Sequence, residues 1–104
     1  MQPIDPPAVV EVDEDRRYIH VNESACQLLG YSREELLSMR IDDLSFPSGA
    51  HVTPMFENYV SEGGMQGIFA LRHKHGEILW IRFQAKIEGK RMIARWTDYE
   101  VKAA

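Results

Sequence analysis

Twenty residues, Tyr18 to Leu37, constrain this chain most, because they set a strand, two capped helices and the turn between them in one window (YIHVNESACQLLGYSREELL). Asn22 ends a β-branched run and is placed to cap a helix by accepting the backbone N–H of Ser24 or Ala25. Ala25, Leu28 and Leu29 then recur at i, i+3 and i+4, one face of a helix. Gly30 closes it, since glycine enters the left-handed conformation without a Cβ clash. Ser32 followed by Glu35 spells a capping box, so a second short helix starts at once and presents Leu36 and Leu37.

The remaining organisation follows from punctuation and period. Residues 1–7 hold Pro3, Pro6 and Pro7, which remove three backbone donors and read as an irregular leader. Ala8 to Val12 and Arg17 to Val21 are β-rich runs around the polar turn Asp13-Glu14-Asp15-Arg16, an opening hairpin. Helices are expected near residues 22–29 and 33–38, with a further turn at Ile41 to Leu44. Phe46-Pro47-Ser48-Gly49 interrupts the chain before the longest helical signal, Val52, Met55, Phe56, Tyr59 and Val60, which Thr53 and Pro54 start and Gly63-Gly64 ends. Three strands complete the order: Gln66 to Arg72, Ile78 to Ile87 and Lys90 to Thr97, joined at Lys74-His75-Gly76-Glu77 and Glu88-Gly89.

Alternation in the middle strand places Leu79, Ile81, Phe83, Ala85 and Ile87 on one face and Trp80, Arg82, Gln84 and Lys86 on the other. Phe69, Leu71, Met92, Ala94 and Trp96 extend the first face, which must be buried. Two strands, several helices and three strands describe an α+β domain, one antiparallel sheet with helices on one face.

At 104 residues the chain is one domain. Its net charge of −4, with both signs interspersed, argues against counterion-driven binding to nucleic acid or anionic lipid. The single cysteine, Cys26, forms no internal disulfide, and no secretory signal opens the sequence, so a cytoplasmic location is expected. No apolar run approaches the roughly 20 residues of a membrane-spanning helix.

The ordered set of strand, Asn22, helix, Gly30-Tyr31 and Ser32-x-x-Glu35-Leu36 resembles the front half of the PAS sensor family. The resemblance runs from about Ala8 to Lys102. Arg72-His73-Lys74-His75-Gly76 stands where members often carry Arg-Arg-Lys-Asp-Gly, and Thr97-Asp98-Tyr99-Glu100 where many end in Asp-Ile-Thr. His75 replaces the usual turn Asp, Ser24 a common Ala, and Tyr99 and Glu100 the Ile and Thr of the exit motif. The resemblance implies a PAS domain over residues 8–98, a five-stranded sheet of order 2-1-5-4-3, a small-molecule cavity under the helices, and residues 99–104 as the start of a C-terminal linker. It further implies a sensor or relay module, as in bacterial two-component signalling, that controls an attached output domain. A structural dimerisation module with a filled core and no ligand is the alternative.

No nucleophile with a base, metal cluster or phosphate loop appears with recognisable spacing, so an enzyme is not expected. Ser32 near His20 or His51 suggests a dyad, but the capping role already accounts for Ser32. Cys26 lacks the Asn-Cys-Arg-Phe-Leu-Gln surroundings of flavin-binding relatives and reads as a small core residue. His51 precedes Pro54 and so falls before the helix on which some relatives hold heme; neither heme nor flavin is expected. His73 and His75 flank a turn, where solvated polar residues belong. An apolar ligand would meet Met55, Phe56, Tyr59, Phe83, Met65 and Met92, with Tyr59, Asn58 and Arg95 as polar anchors, although plain core is the favoured reading of methionines and aromatics at this spacing. Trp80 beside Arg82 and Gln84 on the outer face has the composition of an interface, which makes a homodimer the expected partner.

Overall fold

The computed structural model describes residues 1–45 and 64–102. The long helix expected at 52–60, with Met55, Phe56, Asn58 and Tyr59, lies outside the described residues, as do His51 and the Phe46-Pro47-Ser48-Gly49 break.

The elements run β1 (Gln2–Val12), β2 (Tyr18–Val21), α1 (Glu23–Leu29), α2 (Arg33–Leu37), α3 (Ile41–Leu44), β3 (Gly64–Arg72), β4 (Ile78–Glu88) and β5 (Arg91–Lys102). The strands form one antiparallel sheet in the order β2-β1-β5-β4-β3. Asp13 closes the first hairpin: its Oδ1 accepts the N–H groups of Asp15 (2.9 Å) and Arg17 (3.0 Å), and Arg16 takes a left-handed φ of 66°. The hairpin is tied to the helices through Tyr18 N–H to Met39 O (3.1 Å) and Ile41 N–H to Arg16 O (2.9 Å).

The helices are short, so their end groups decide them. Asn22 Oδ1 accepts the Ala25 N–H at 3.1 Å, and Gly30 closes α1 at φ 81° and ψ 6°. Both arms of the capping box are made: Glu35 N–H to Ser32 Oγ (3.1 Å) and Ser32 N–H to Glu35 Oε1 (2.9 Å). Helix α1 buries Ala25, Cys26 and Leu29, with Leu28 at the margin; α2 buries Leu36 but turns Leu37 to solvent, contrary to the pairing expected.

The sheet alternates as its sequence requires. Ala8, Val10 and Val12, Met92, Ala94 and Trp96, and Leu79, Ile81 and Phe83 form a continuous buried face against the helices. Gly67 lies opposite Phe83, where a Cβ would make ordinary van der Waals contact with the ring, 3.6 Å from Cε1. Phe69 packs edge-on against Phe83 (centroids 5.0 Å) and Trp96 (6.0 Å).

Both ends of the sheet are longer than the sequence led us to expect. The first seven residues are no irregular leader: Gln2 and Pro3 pair with Tyr99 and Asp98, and the register shift is confined between Pro3 and Ala8. Ile4, inside that excursion, is buried. At the other end β5 continues to Lys102, pairing Tyr99 with Ile81 and Val101 with Leu79. Between Trp96, opposite Phe83, and Asp98, opposite Arg82, Thr97 has no partner on β4 and forms a bulge. Past it, Asp98 faces outward and Tyr99 inward.

Candidate functional site

The residues singled out above fall on two faces of one sheet. On the inner face lie Phe83 and Met92, both buried. Arg95, expected beside them as a polar anchor, does not join them. It lies between Ala94 and Trp96 on the strand, so the alternation sends it to the opposite face, exposed and opposite Gln84 and Val9.

Among the described residues, one polar group that the inner side does contain is Tyr18, which sequence reasoning passed over as an ordinary β residue. Its side chain is 2% exposed and its hydroxyl has no hydrogen-bond partner among the described residues. Burial pushes the phenol well above its usual range, and the nearby carboxylates of Asp43 and Asp42 push it the same way. Tyr18 is therefore a neutral donor held in an apolar core, a group that hydrogen-bonds any acceptor reaching it. Cys26 belongs to the same core, where burial first of all raises its thiol and makes a reactive thiolate unfavourable.

On the outer face Trp80 is half-buried between Ala70 and Glu100 on the neighbouring strands. Arg82 and Gln84 are exposed beside it, as is Ile68, which pairs with Arg82. Asp98 approaches Arg82 at 3.6 Å and accepts the Thr97 hydroxyl at 2.9 Å. Between β3 and β4 a shallow groove of about 350 Å³ is walled by Gln66, Ile68, Arg82 and Gln84. Trp80, Arg82 and Gln84 thus share one surface, as their spacing implied.

Two further joints between helices and sheet bear on the site. Asn22 does more than cap: Oδ1 also accepts Val9 N–H (3.1 Å) and Nδ2 donates to Pro7 O (3.1 Å), so one amide binds α1 to β1. At the far end the β3–β4 turn docks on the α1–α2 junction. Lys74 N–H donates to Leu29 O (3.0 Å), and its ammonium meets Glu35 Oε2 (3.0 Å) and lies 5.8 Å from the centre of the Tyr31 ring. These bonds, chiefly Ser32 N–H and then Lys74, hold the Glu35 carboxyl below its ordinary range.

A PAS domain family model matches residues 6–98 of this sequence. The chain belongs to the PAS family. Solved PAS structures superpose on it closely. A domain of a sensory box sensor histidine kinase/response regulator from Geobacter sulfurreducens has a TM-score of 0.79 at 18% identity, over 88% of this chain and 82% of that one. The PAS domain of a Colwellia psychrerythraea protein gives 0.77 at 24%, over 93% and 86%. The PAS domain of a LuxR-family transcriptional regulator from Burkholderia thailandensis, in complex with ethanol, gives 0.74 at 15%, over 95% and 91%. At these identities the likeness is one of fold. No curated protein sequence matches the chain. In this PAS domain the expected strand order holds, and no helix among the described residues is long and apolar enough to cross a membrane.

Proposed function

We propose that this PAS domain is a non-catalytic, cytoplasmic signal-relay module that pairs with a second copy through its outer sheet face and controls an attached output domain. The observation that supports this reading is the surface around Trp80: an aromatic side chain and the exposed Ile68 beside a groove of about 350 Å³, rimmed by Arg82, Gln84 and Gln66. An apolar centre with a polar, hydrogen-bonding rim is the composition of a protein interface. A sheet face also transmits strain well, because Phe83 and Trp80 belong to the same strand and point to opposite sides.

The signal in this reading is a small, colourless molecule on the inner side, for which Tyr18 supplies a buried donor. The relative that holds ethanol supports a small ligand as the class. A dimerisation module with a filled core is the second reading. Native mass spectrometry of freshly purified protein separates the two, since only the first carries extra mass.

Equilibrium sedimentation tests the interface. The wild type should dimerise at tens of micromolar, and Trp80→Glu, which would bury a charge at the contact, should be monomeric with its fold intact. A monomeric wild type or a dimeric variant removes Trp80 from the interface.

A further inference from the structure

The β3–β4 turn carries an arrangement that the proposed relay does not use. His73 Nδ1 accepts the backbone N–H of His75 at 3.0 Å, and the His73 N–H and C=O are bound to Glu77 O (2.8 Å) and Gly76 N–H (2.9 Å). The imidazole lies directly over Gly30: a Cβ there would stand 2.6 Å from both Cε1 and Nε2. The next residue, Lys74, makes the backbone bond to Leu29 O and the ion pair with Glu35 that join the turn to the helices. One histidine thus shapes the turn and covers the helix end on which the turn is docked.

An imidazole nitrogen accepts a hydrogen bond only while it carries no proton. Protonation at Nδ1 turns that acceptor into a donor aimed at the His75 N–H, and places a cation beside Lys74 and beside the His75 ring, whose centre is 5.3 Å away. The other charged groups around the turn are Arg72 at the end of β3, Glu77 before β4, and Glu35 on α2; Tyr31 completes the α1–α2 side. Glu35, held below the ordinary carboxylate range, stays ionised while a histidine titrates. Arg72 and Glu77 are exposed.

We propose that the β3–β4 turn is a proton-operated latch, docked on the α1–α2 junction while His73 is neutral and released from it when His73 is protonated. Histidine is the side chain whose ordinary change of charge falls between about pH 5 and 8, so pH is the variable that tests the latch. The inference is independent of the dimer, because the turn and the Trp80 surface are separate parts of the domain.

Amide hydrogen exchange on the whole chain, followed by NMR and corrected for the intrinsic pH dependence, tests it. At pH 8 the His73 ring nitrogens should report a proton on Nε2 and none on Nδ1. Between pH 8 and pH 5 the protection of the Lys74 amide should fall about tenfold, the change expected for losing one hydrogen bond, in step with the His73 ring. His73→Asn keeps an acceptor near the Nδ1 position without titrating, and should hold Lys74 protection constant; His75→Gln should leave the transition in place. Constant protection in the wild type, a transition that persists in His73→Asn, or a proton on Nδ1 at pH 8 would each overturn the latch. Should His73→Asn not fold, the wild-type ring and amide signals alone decide.

Discussion

Replacing Gly30 by alanine tests the joint between α1 and the β3–β4 turn, and its cost can be worked in two parts. The residue has φ 81°, where an alanine loses about 1 kcal/mol to the clash of its Cβ with the backbone. The same Cβ would stand 2.6 Å from the His73 ring, which must move and give up the His75 N–H bond, about 1 kcal/mol more. Gly30→Ala should therefore destabilise the domain by about 2 kcal/mol in urea unfolding followed by tryptophan fluorescence. In a His73→Ala background only the backbone part remains, so the same substitution should cost about 1 kcal/mol. The coupling between the two positions, about 1 kcal/mol, exceeds the roughly 0.5 kcal/mol within which independent sites add. Equal costs in the two backgrounds would show that the ring does not cover Gly30, and a cost under about 0.5 kcal/mol in the wild type would refute the left-handed cap as well.

Substitutions at two other positions probe the core and its edge. Asn22→Ala should cost about 2–3 kcal/mol in the same assay, since it removes a helix cap and leaves the Val9 N–H unpaired, whereas Asn22→Asp keeps the acceptor, loses only the donor to Pro7 O and should cost about 1 kcal/mol; equal losses would mean that the acceptor bonds to Ala25 and Val9 together contribute nothing. Tyr18→Phe removes a buried hydroxyl without a partner among the described residues and should leave stability at pH 8 within about 0.5 kcal/mol or raise it, a loss above about 1 kcal/mol showing instead that the hydroxyl is bonded. Because burial raises this phenol, the folded state holds its proton more tightly than the unfolded chain. The contribution is present below the unfolded value near pH 10 and is lost as pH rises beyond it. Urea midpoints at pH 8 and 10.5 should thus fall further for the wild type than for Tyr18→Phe.

What the sequence disclosed was what local chemistry decides. The capping contacts of Asn22, Gly30, Ser32 and Glu35 lie within one helical turn, and each of these residues caps as its side chain or lack of one suggested. The faces of β4 were legible because period two is a property of the strand alone. The extension of β1 was hidden by its prolines. β2 pairs only with Val10, Glu11 and Val12, so the stretch around Pro3 lies at the sheet margin on that side, where a missing N–H costs no ladder bond. The extension of β5 was hidden by Thr97: two residues beyond the buried Trp96 stands Asp98, a polar residue at an apparently buried position, which imitates a strand end. Arg95 failed as an anchor for a simpler reason, since it sits between Ala94 and Trp96 and cannot share their face. The docking of His73 on Gly30 joins distant parts of the chain, and neither residue announces the other.

The bulge at Thr97 makes residue counting in β5 a matter of parity. Because side chains alternate, removing or adding one residue there is equivalent to turning the rest of the strand through half a revolution: Asp98 would face the core, away from Arg82, and Tyr99 would face the solvent. Removing or adding two would only slide the strand by one step of the pleat and keep every side chain on its own side. Lengths near Thr97 are thus constrained modulo two. The sides of the sheet on which Glu100 and Val101 stand, opposite Trp80 and Leu79, are therefore set by one threonine rather than by the last residues of β5 themselves.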